Sequence, residues 1–227
     1  MRRYVVTGAS SGIGECVARM LLDRGDSVLL VARRAERLAA LAAGRLGAHV
    51  LTADLAERGS AVRVAEEAKR ALGPLDGFVH CAGFAAPAPV GMIDEETVAR
   101  LFAVHATFPA LFLGKMARRD AHADGASAVL VSSRSARSAD PGNAAYAAAK
   151  GAVEGFYETA RVELAARGVR LEVARLSEVD TEMARTTWMR TAPPERVAEI
   201  MSRHPGGLPS ADDAARGIVE LLDGGSR

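Results

Sequence analysis

The sequence predicts an α/β fold: one doubly wound domain, spanning residues 1–227, whose parallel sheet of six or seven strands carries helices on both faces. Three observations predict it. Short apolar runs alternate with longer amphipathic stretches along the chain, a glycine-rich turn joins the first run to the first stretch, and glycines follow most of the amphipathic stretches. No linker, repeat or low-complexity segment divides the 227 residues, which suffice for one well-packed domain.

The elements follow in order from this alternation. Strands are predicted over residues 4–6, 27–31, 49–52, 77–80, 128–132 and 170–175. Helices are predicted over residues 13–24, 35–46, 58–72, 95–119, 144–167 and 211–222. This order is typical of a Rossmann-type sheet. No seventh strand is evident after the last helix, and residues 184–208 are long enough to form a substrate loop or lid.

Composition argues against several classes of function. A net charge of +1 and an aromatic content of 4% offer no field or stacking surface for nucleic acid or a membrane. The two cysteines, Cys16 and Cys81, and five scattered histidines form neither a disulfide framework nor a metal-ligand cluster, so no metal is expected. No apolar run approaches the roughly 20 residues of a membrane span. With a first strand that begins by about residue 3, we expect no signal peptide and a cytoplasmic protein.

The turn after the first strand reads Thr-Gly-Ala-Ser-Ser-Gly-Ile-Gly over residues 7–14. Its glycines permit close approach of the backbone to a pyrophosphate, whose charge would lie at the N-terminus of the next helix. A flexible turn is the alternative, but a turn does not need three glycines. The predicted cofactor-binding residues here are Gly8, Ser10, Ser11, Gly12, Ile13 and Gly14.

Tyr146 and Lys150 stand four residues apart in an alanine-rich stretch, so their side chains share one helix face. A free tyrosine has a pKa of about 10, and a nearby ammonium favours the phenolate. The spacing therefore predicts an acid/base pair in which Lys150 lowers the pKa of Tyr146. Alone the spacing is weak, because such pairs also arise by chance on solvated helices.

Taken together, the glycine-rich turn, Ser133, Tyr146 and Lys150 resemble the short-chain dehydrogenase/reductase family over residues 3 to about 222. Ser133 lies thirteen positions before Tyr146, the separation usual for the family's catalytic serine. The resemblance implies that Tyr146 protonates a carbonyl oxygen as hydride arrives. It implies that Ser133 hydrogen-bonds that oxygen and that Lys150 binds the nicotinamide ribose.

The second strand ends Val-Ala-Arg-Arg over residues 31–34, which predicts NADP(H) as the cofactor. An NAD site would place a carboxylate here for the ribose hydroxyls. Ala32 has no charge that would repel a phosphate, and the guanidinium of Arg33 suits a 2′-phosphate. Arg34 is a second candidate, and a solvated arginine is the alternative for Arg33. By resemblance Asp54 contacts the adenine, with Leu55 beside it; a helix N-cap is the alternative for Asp54.

Three departures from the family pattern concern the site. Where the family has Asn-Ala-Gly, this chain has Cys81, Ala82 and Gly83, so the asparagine amide that ties the strands together is lost. His105 replaces the catalytic asparagine, which holds a water connected to the lysine. His105 is expected to hold that water, to titrate and relay protons, or only to pack.

The third departure is Leu176-Ser177, which replaces the family's Pro-Gly and predicts an altered nicotinamide pocket. By resemblance Thr181 contacts the nicotinamide carboxamide, and Val179 offers a backbone amide.

The resemblance implies a small carbonyl or alcohol substrate, in a pocket formed by residues 84–90, 134–143 and 185–205. The last segment contains Trp188 and Met189. Its arginines, Arg185, Arg190 and Arg196, leave a carboxylate or phosphate on the substrate open, but solvated arginines are the preferred interpretation. It also implies a homodimer or homotetramer. The interface would bury Ala145, Ala149, Val153, Phe156, Leu101, Phe108 and Phe112, unless these belong to the core.

Three functions fit the sequence. The first is an NADPH-dependent carbonyl reductase that converts a ketone or aldehyde reversibly to an alcohol. The second is a regulator or scaffold that binds NADP(H) without turnover, which the changes at positions 81, 105 and 176–177 motivate. The third is a dehydratase or isomerase that keeps the tyrosine as its acid/base.

Overall fold

The computed structural model describes residues 1–187 and 192–225 and contains six strands in one sheet across those residues. The strands are β1 Arg3–Thr7, β2 Ser27–Ala32, β3 Ala48–Thr52, β4 Leu75–His80, β5 His122–Ser133 and β6 Val169–Leu176. All neighbouring pairs are parallel. The predicted doubly wound sheet is confirmed with six strands, each covering its predicted range and extending beyond it.

Nine helices lie in the described ranges. They are α1 Gly12–Asp23, α2 Ala35–Ala42, α3 Ser60–Ala71, α4 Glu95–Phe102, α5 Phe108–Met116, α6 Ala144–Ala165, α7 Glu182–Thr186, α8 Pro194–Ser202 and α9 Ala211–Asp223. Seven of them overlap the six predicted helices: α1, α2, α3, α6 and α9 each match one, and α4 and α5 together match the predicted helix 95–119. The helices α7 and α8 were not predicted, because their region was assigned to a loop.

The strand order is β3-β2-β1-β4-β5-β6. The chain therefore moves outward from β1 on one side, returns, and continues outward from β4 on the other. In an open parallel sheet, ligands bind beyond the carboxyl ends of the strands at this point of reversal. Here the turn after β1 faces the turn after β4, and these two turns carry the predicted phosphate-binding glycines and Cys81–Gly83.

Two hydrophobic cores hold the helices to the sheet. One face packs α3, α5 and α6 against it, with Val64, Phe112 and Val153 among the fully or almost fully buried side chains. The other face packs α1, α2 and α9, with Leu21 and Ile218 fully buried. Apolar side chains alternate between the two faces of each strand, so both faces need cover and only the strand ends remain free for a site.

The predicted helix 95–119 is interrupted by a π-helical segment, Ala103–Thr107. Pro109 explains the interruption. It lacks the N–H that would bind the carbonyl of His105 four residues earlier, and its ring crowds that carbonyl. The widened turn places His105 in the wall of the cleft between the sheet ends. Such π-helical turns are frequent at functional sites.

The stretch Glu95–Met116 is long and apolar enough to cross a membrane by length and composition. The expectation that no stretch approaches this length was therefore wrong. The reason is that a core helix has the same composition as a membrane span. Leu101, Phe108, Phe112, Leu113 and Met116 are buried inside the protein.

The predicted dimer interface must also be corrected. Five of its seven residues are buried inside the single chain, namely Ala149, Val153, Leu101, Phe108 and Phe112. They fill the space between α4, α5, α6 and the sheet, so they are not available to a second subunit. Leu111 and Val162, on the outer surfaces of α5 and α6, are exposed instead.

The described part of the segment predicted as a lid, residues 184–208, contains the end of α7 and all of α8. Trp188 and Met189, which were predicted to line the substrate pocket, lie outside the described residues. Proline precedes and begins α8, at Pro193 and Pro194, where the missing N–H costs nothing. The helix is tied down by Arg196, which pairs with Asp140 in the loop before α6.

Candidate active site

One cleft of about 1000 Å³ lies beyond the carboxyl ends of the strands. Every predicted catalytic and cofactor-binding residue lines it, although these residues come from eight separate places in the chain. They are Gly8, Ser10, Ser11, Gly12, Ile13, Gly14, Arg33, Arg34, Asp54, Leu55, Cys81, Ala82, Gly83, His105, Ser133, Tyr146, Lys150, Val179 and Thr181. The parallel sheet brings them together because all its strands end at the same edge.

The glycine-rich turn fits a pyrophosphate. A Cβ atom on Gly8 would lie 2.8 Å from the amide nitrogen of Ala82, and one on Gly14 would lie 2.7 Å from the carbonyl carbon of Gly8. Only glycine allows this approach of the two turns. Gly12 begins α1, whose free N–H groups and positive dipole end face the cleft. These residues would hold the phosphates of a dinucleotide.

Arginines line the far end of the cleft. Arg33 is exposed and makes no hydrogen bond or ion pair within the described ranges, and its charge helps to lower the pKa of Asp54. Arg34 reaches back to the turn, where its Nε donates to Ser10 Oγ at 3.2 Å and another nitrogen donates to Ser11 Oγ. Ala32 leaves no carboxylate at the end of β2.

Asp54 does not cap a helix, because α3 begins only at Ser60. Its carboxylate accepts from the Ala56 amide at 3.0 Å and pairs with Arg100 at 3.0 Å. Burial alone would raise the pKa of Asp54, but the Ala56 amide and Arg100 outweigh it and lower this pKa. Asp54 therefore presents an ionised, already paired carboxylate to the cleft. Arg100 also lines the cleft and was not predicted.

Ser133, Tyr146 and Lys150 meet at the opposite end. Ser133 ends β5, and Tyr146 and Lys150 occupy successive turns of α6. The Lys150 Nζ lies 5.8 Å from the centre of the Tyr146 ring and donates to the Val131 carbonyl at 2.8 Å. Ser133 Oγ accepts from the Ser135 amide at 3.1 Å, and the Ser133 hydroxyl interacts with the Tyr146 phenol.

Burial governs the ionisation of this pair. It raises the pKa of the Tyr146 phenol, and the hydrogen bond with Ser133 lowers that pKa only in part. The prediction of a lowered Tyr146 pKa is therefore wrong for this structure: the pKa is raised, because burial removes the solvent that would stabilise the phenolate. Burial also lowers the pKa of Lys150 to about 8. At neutral pH the phenol holds its proton and the lysine is mostly charged.

His105 packs against Tyr146, with the two rings edge to face and their centres 5.4 Å apart. Its Nε2 lies 2.9 Å from the carbonyl oxygen of Phe84. The Phe84 amide also donates to this atom at 3.3 Å, so Nε2 meets both the carbonyl oxygen and the amide N–H of Phe84. Burial and the charge of Lys150 hold the pKa of His105 well below its usual value. A histidine that titrates near neutrality is therefore not supported, and the Nδ1 atom of the neutral ring is buried without a hydrogen-bond partner among the described residues.

The lost asparagine tie is replaced by a neighbouring histidine. His80 Nε2 donates to the Val104 carbonyl at 3.0 Å, and His80 Nδ1 accepts from the Thr7 hydroxyl at 2.8 Å. The Thr7 oxygen in turn accepts from the Ala82 amide at 3.3 Å. Burial lowers the pKa of His80 to about 3, so the ring stays neutral. This chain of bonds joins β1, β4 and the π-helical segment that carries His105.

The loop after β6 forms the wall nearest the glycine-rich turn. Thr181 Oγ1 accepts from the Ala184 amide at 3.2 Å, so this hydroxyl caps α7. A Cβ atom on Gly12 would lie 3.5 Å from the Thr181 methyl group, which places Thr181 beside the turn. Ser177 is exposed and lines the cleft, and Val179 is buried.

The predicted substrate segments also line this cleft, and the charged side chains there pair with each other. Arg134 pairs with Glu178 at 2.5 Å, and Arg196 pairs with Asp140. Outside the cleft lining, Arg185 pairs with Asp180 at 2.7 Å. Apolar walls come from residues of several loops, namely Phe84, Ala85, Pro87, Pro141, Met183, Pro193 and Ile200.

Three residues of the site were missed by sequence reasoning. They are His80, Arg100 and Glu182, which line the cleft or bind residues that do. Glu182 follows Thr181 directly and pairs with Arg34 at 3.1 Å. Their partners are between 24 and 148 positions away in the chain, so local spacing carries no signal for them.

Comparisons with known proteins agree with this arrangement. A family model described as short chain dehydrogenase matches residues 2–191. Cis-4-hydroxycyclohexanecarboxylate dehydrogenase from Sinomonas cyclohexanicum is 33% identical over 99% of this chain and 96% of that protein. D-erythrulose reductase from Gallus gallus is 31% identical over 97% of this chain and 88% of that protein.

A solved structure shares the fold as well. The short chain dehydrogenase from Burkholderia cenocepacia J2315, in complex with NADP, matches with a TM-score of 0.83 and 26% identity, over 97% of this chain and 90% of that one. With a family model over most of its length and relatives above 30% identity, the chain belongs to the short-chain dehydrogenase/reductase family, oxidoreductases that use nicotinamide cofactors.

Proposed function

We propose that the protein is an NADPH-dependent carbonyl reductase that converts a ketone or aldehyde reversibly to an alcohol. One observation carries the proposal: Ser133, Tyr146 and Lys150 meet at one end of a cleft whose other end holds Arg33 and Arg34. The glycine-rich turn lies between the two ends. A dinucleotide held by this turn would reach from the arginines to the tyrosine.

Tyr146 is proposed as the proton donor. Its raised pKa keeps the phenol protonated at neutral pH, so it can protonate an oxygen that gains negative charge. Ser133 donates a hydrogen bond to the same oxygen, since its Oγ already accepts from Ser135. A bound NADPH would supply the hydride to the carbonyl carbon.

Lys150 acts on the phenolate that remains after proton transfer. Its ammonium lies on the same helix face as Tyr146, and one of its three N–H groups is taken by Val131. The charge stabilises the phenolate, and the other two N–H groups are available to the cofactor's ribose. Neutral His105 holds the ring of Tyr146 in place from the side and can hold a water through Nδ1.

NADP(H) is proposed over NAD(H) on two observations. Arg33 follows β2 and makes no hydrogen bond or ion pair within the described ranges, and Arg34 is held by two serines of the phosphate-binding turn. Guanidinium groups bind phosphate in a forked geometry, whereas a carboxylate would be needed for two ribose hydroxyls. The NADP-bound relative is consistent with this choice.

The proposed substrate is a small, uncharged carbonyl compound. The arginines of the substrate end already pair with Glu178 and Asp140, so little unpaired charge remains there for an anion. We also propose that the protein forms a homodimer or homotetramer. Exposed Leu111 and Val162 offer apolar surface for this contact on α5 and α6.

The proposal is tested with purified protein by measuring NADPH binding calorimetrically and NADPH oxidation over a panel of ketones and aldehydes. We expect binding together with turnover of at least one small neutral carbonyl compound. Tight binding without turnover would favour a regulator. Conversion of a substrate without net consumption of NADPH would favour a dehydratase or isomerase.

A further inference from the structure

Glu182 is the first residue of α7 and belongs to none of the predicted site positions. Its carboxylate accepts from Arg34 Nη1 at 3.1 Å and lies 3.4 Å from Arg37 Nη1. The side chain is 52% exposed, and it also lines the cleft. An acidic group therefore stands among the arginines at the end where a 2′-phosphate would bind.

Arg34 has its three nitrogens engaged in this arrangement. Nε donates to Ser10 Oγ, Nη2 contacts the oxygens of Ser10 and Ser11, and Nη1 binds Glu182. The serines belong to the phosphate-binding turn and Glu182 to the opposite wall. The guanidinium thus spans the cleft, and only the Nη1 side is held by an anion.

We propose that Glu182 sets the discrimination between a 2′-phosphate and a 2′-hydroxyl by competing with the phosphate for Arg34. This inference rests on the proposed NADP(H) function. A carboxylate and a phosphate both offer anionic acceptor oxygens to a guanidinium. A phosphate on the ribose must therefore share Arg34 with Glu182 or displace it from the guanidinium. A ribose hydroxyl does not compete for Arg34 in this way.

The alternative role for Glu182 is to orient Arg34 for the phosphate. The contacts with Ser10 and Ser11 already fix the guanidinium from the other side, so Glu182 is not needed for that purpose. The hydrogen bond from Arg34 also lowers the pKa of Glu182, so the carboxylate carries its charge at neutral pH. The two roles predict opposite effects of removing the Glu182 charge. If Glu182 competes with the phosphate, the affinity for a 2′-phosphate rises; if Glu182 orients Arg34, that affinity falls.

The test measures calorimetric binding of 2′,5′-ADP and 5′-AMP, which differ only in the 2′-phosphate. In Glu182→Gln we expect 2′,5′-ADP to bind about two- to fivefold more tightly, as for an exposed ion pair. Binding of 5′-AMP should change by less. The matched control is Glu36→Gln, which removes an equal exposed charge two residues from Arg34.

A double variant tests whether Glu182 acts through Arg34. In Arg34→Ala the further change Glu182→Gln should leave the affinity for 2′,5′-ADP unaltered, because the shared partner is gone. Unchanged or weaker binding in Glu182→Gln overturns the inference, as does an equal gain in Glu36→Gln or a gain that persists without Arg34. Circular dichroism of each variant shows whether it is folded.

The same measurements separate this inference from the proposed function. If the unchanged protein prefers 2′,5′-ADP and Glu182→Gln has no effect, the NADP(H) assignment stands and the role of Glu182 fails. If the unchanged protein shows no preference while Glu182→Gln acquires one, the role of Glu182 stands and the native preference for NADP(H) fails. If the unchanged protein and the variant bind neither nucleotide, the NADP(H) assignment and the role of Glu182 both fail.

Discussion

Gly83 lies directly against His105. A Cβ atom on Gly83 would come within 3.1 Å of the His105 Nδ1 and closer still to Cε1, so the imidazole fills the space that any other residue at 83 would need. His105 in turn contacts the Tyr146 ring edge to face. The glycine of the turn after β4 and the proposed proton donor are thus linked through one neutral ring.

This packing predicts that Gly83→Ala destabilises the fold by about 1–3 kcal/mol, the usual cost of overpacking. The shorter side chain of His105→Asn should relieve most of that cost, so the two changes should couple in urea unfolding. Gly91→Ala is the matched control, since a Cβ there meets nothing within 4 Å. Equal costs of Gly83→Ala in both backgrounds would contradict the packing argument.

The ionisation of His105 predicts the outcome of His105→Asn on pH dependence. Because burial holds the pKa of His105 well below its usual value, the ring stays neutral in the pH range in which a free histidine titrates. We expect the pH profile of kcat to keep its shape in the variant, whatever its height. An acidic limb that moves or disappears would show that His105 titrates during the reaction.

Removal of the phenol hydroxyl tests the proton donor. Tyr146→Phe should lower kcat by about 10²–10⁴-fold, the usual contribution of a general acid, while the affinity for NADPH stays within a few-fold. The phenyl ring preserves the contact with His105. Tyr157→Phe, on the same helix but outside the cleft lining, should leave kcat unchanged. Retained turnover in Tyr146→Phe would remove Tyr146 from the mechanism.

The lowered pKa of buried Lys150 predicts that the free energy of unfolding depends on pH. Its pKa falls from 10.5 to about 8 on folding. Between these values the unfolded chain binds one proton more than the native protein, so this group makes stability rise with pH. The full effect is roughly 3 kcal/mol and is present as a cost below pH 8. Lys150→Met should lose activity and should flatten the rise of unfolding free energy between pH 8 and 10. An identical slope in both proteins would mean that the lysine is not buried as described.

Substitution of Arg33 tests the preference for NADP(H) over NAD(H). Arg33→Ala should raise the KM for NADPH by about tenfold, as expected for loss of a hydrogen bond between charged groups, with little change for NADH. The control Arg119→Ala removes an exposed arginine that lies outside the cleft lining. An unchanged ratio of the two KM values would exclude Arg33 from phosphate recognition.

Local sequence patterns predicted many residues of the candidate active site. The glycines at 8, 12 and 14, the four-residue spacing of Tyr146 and Lys150, and the strand end at Ser133 are readable because each depends on neighbours in the chain. Boundaries were less certain. Pro109 stood inside the predicted helix 95–119 and was not taken as a break, although it produces the π-helical segment that positions His105.

The sequence by itself determined the doubly wound sheet, the family and the residues that meet in the cleft, because periodicity, turn glycines and short spacings are local properties. Only the tertiary structure decided the ionisation of Tyr146 and Lys150, the neutral roles of His80 and His105, and the pairing of Glu182 with Arg34. The reason is physical. A pKa depends on the solvent that the whole fold removes, and a contact across a cleft joins residues that the chain order keeps far apart.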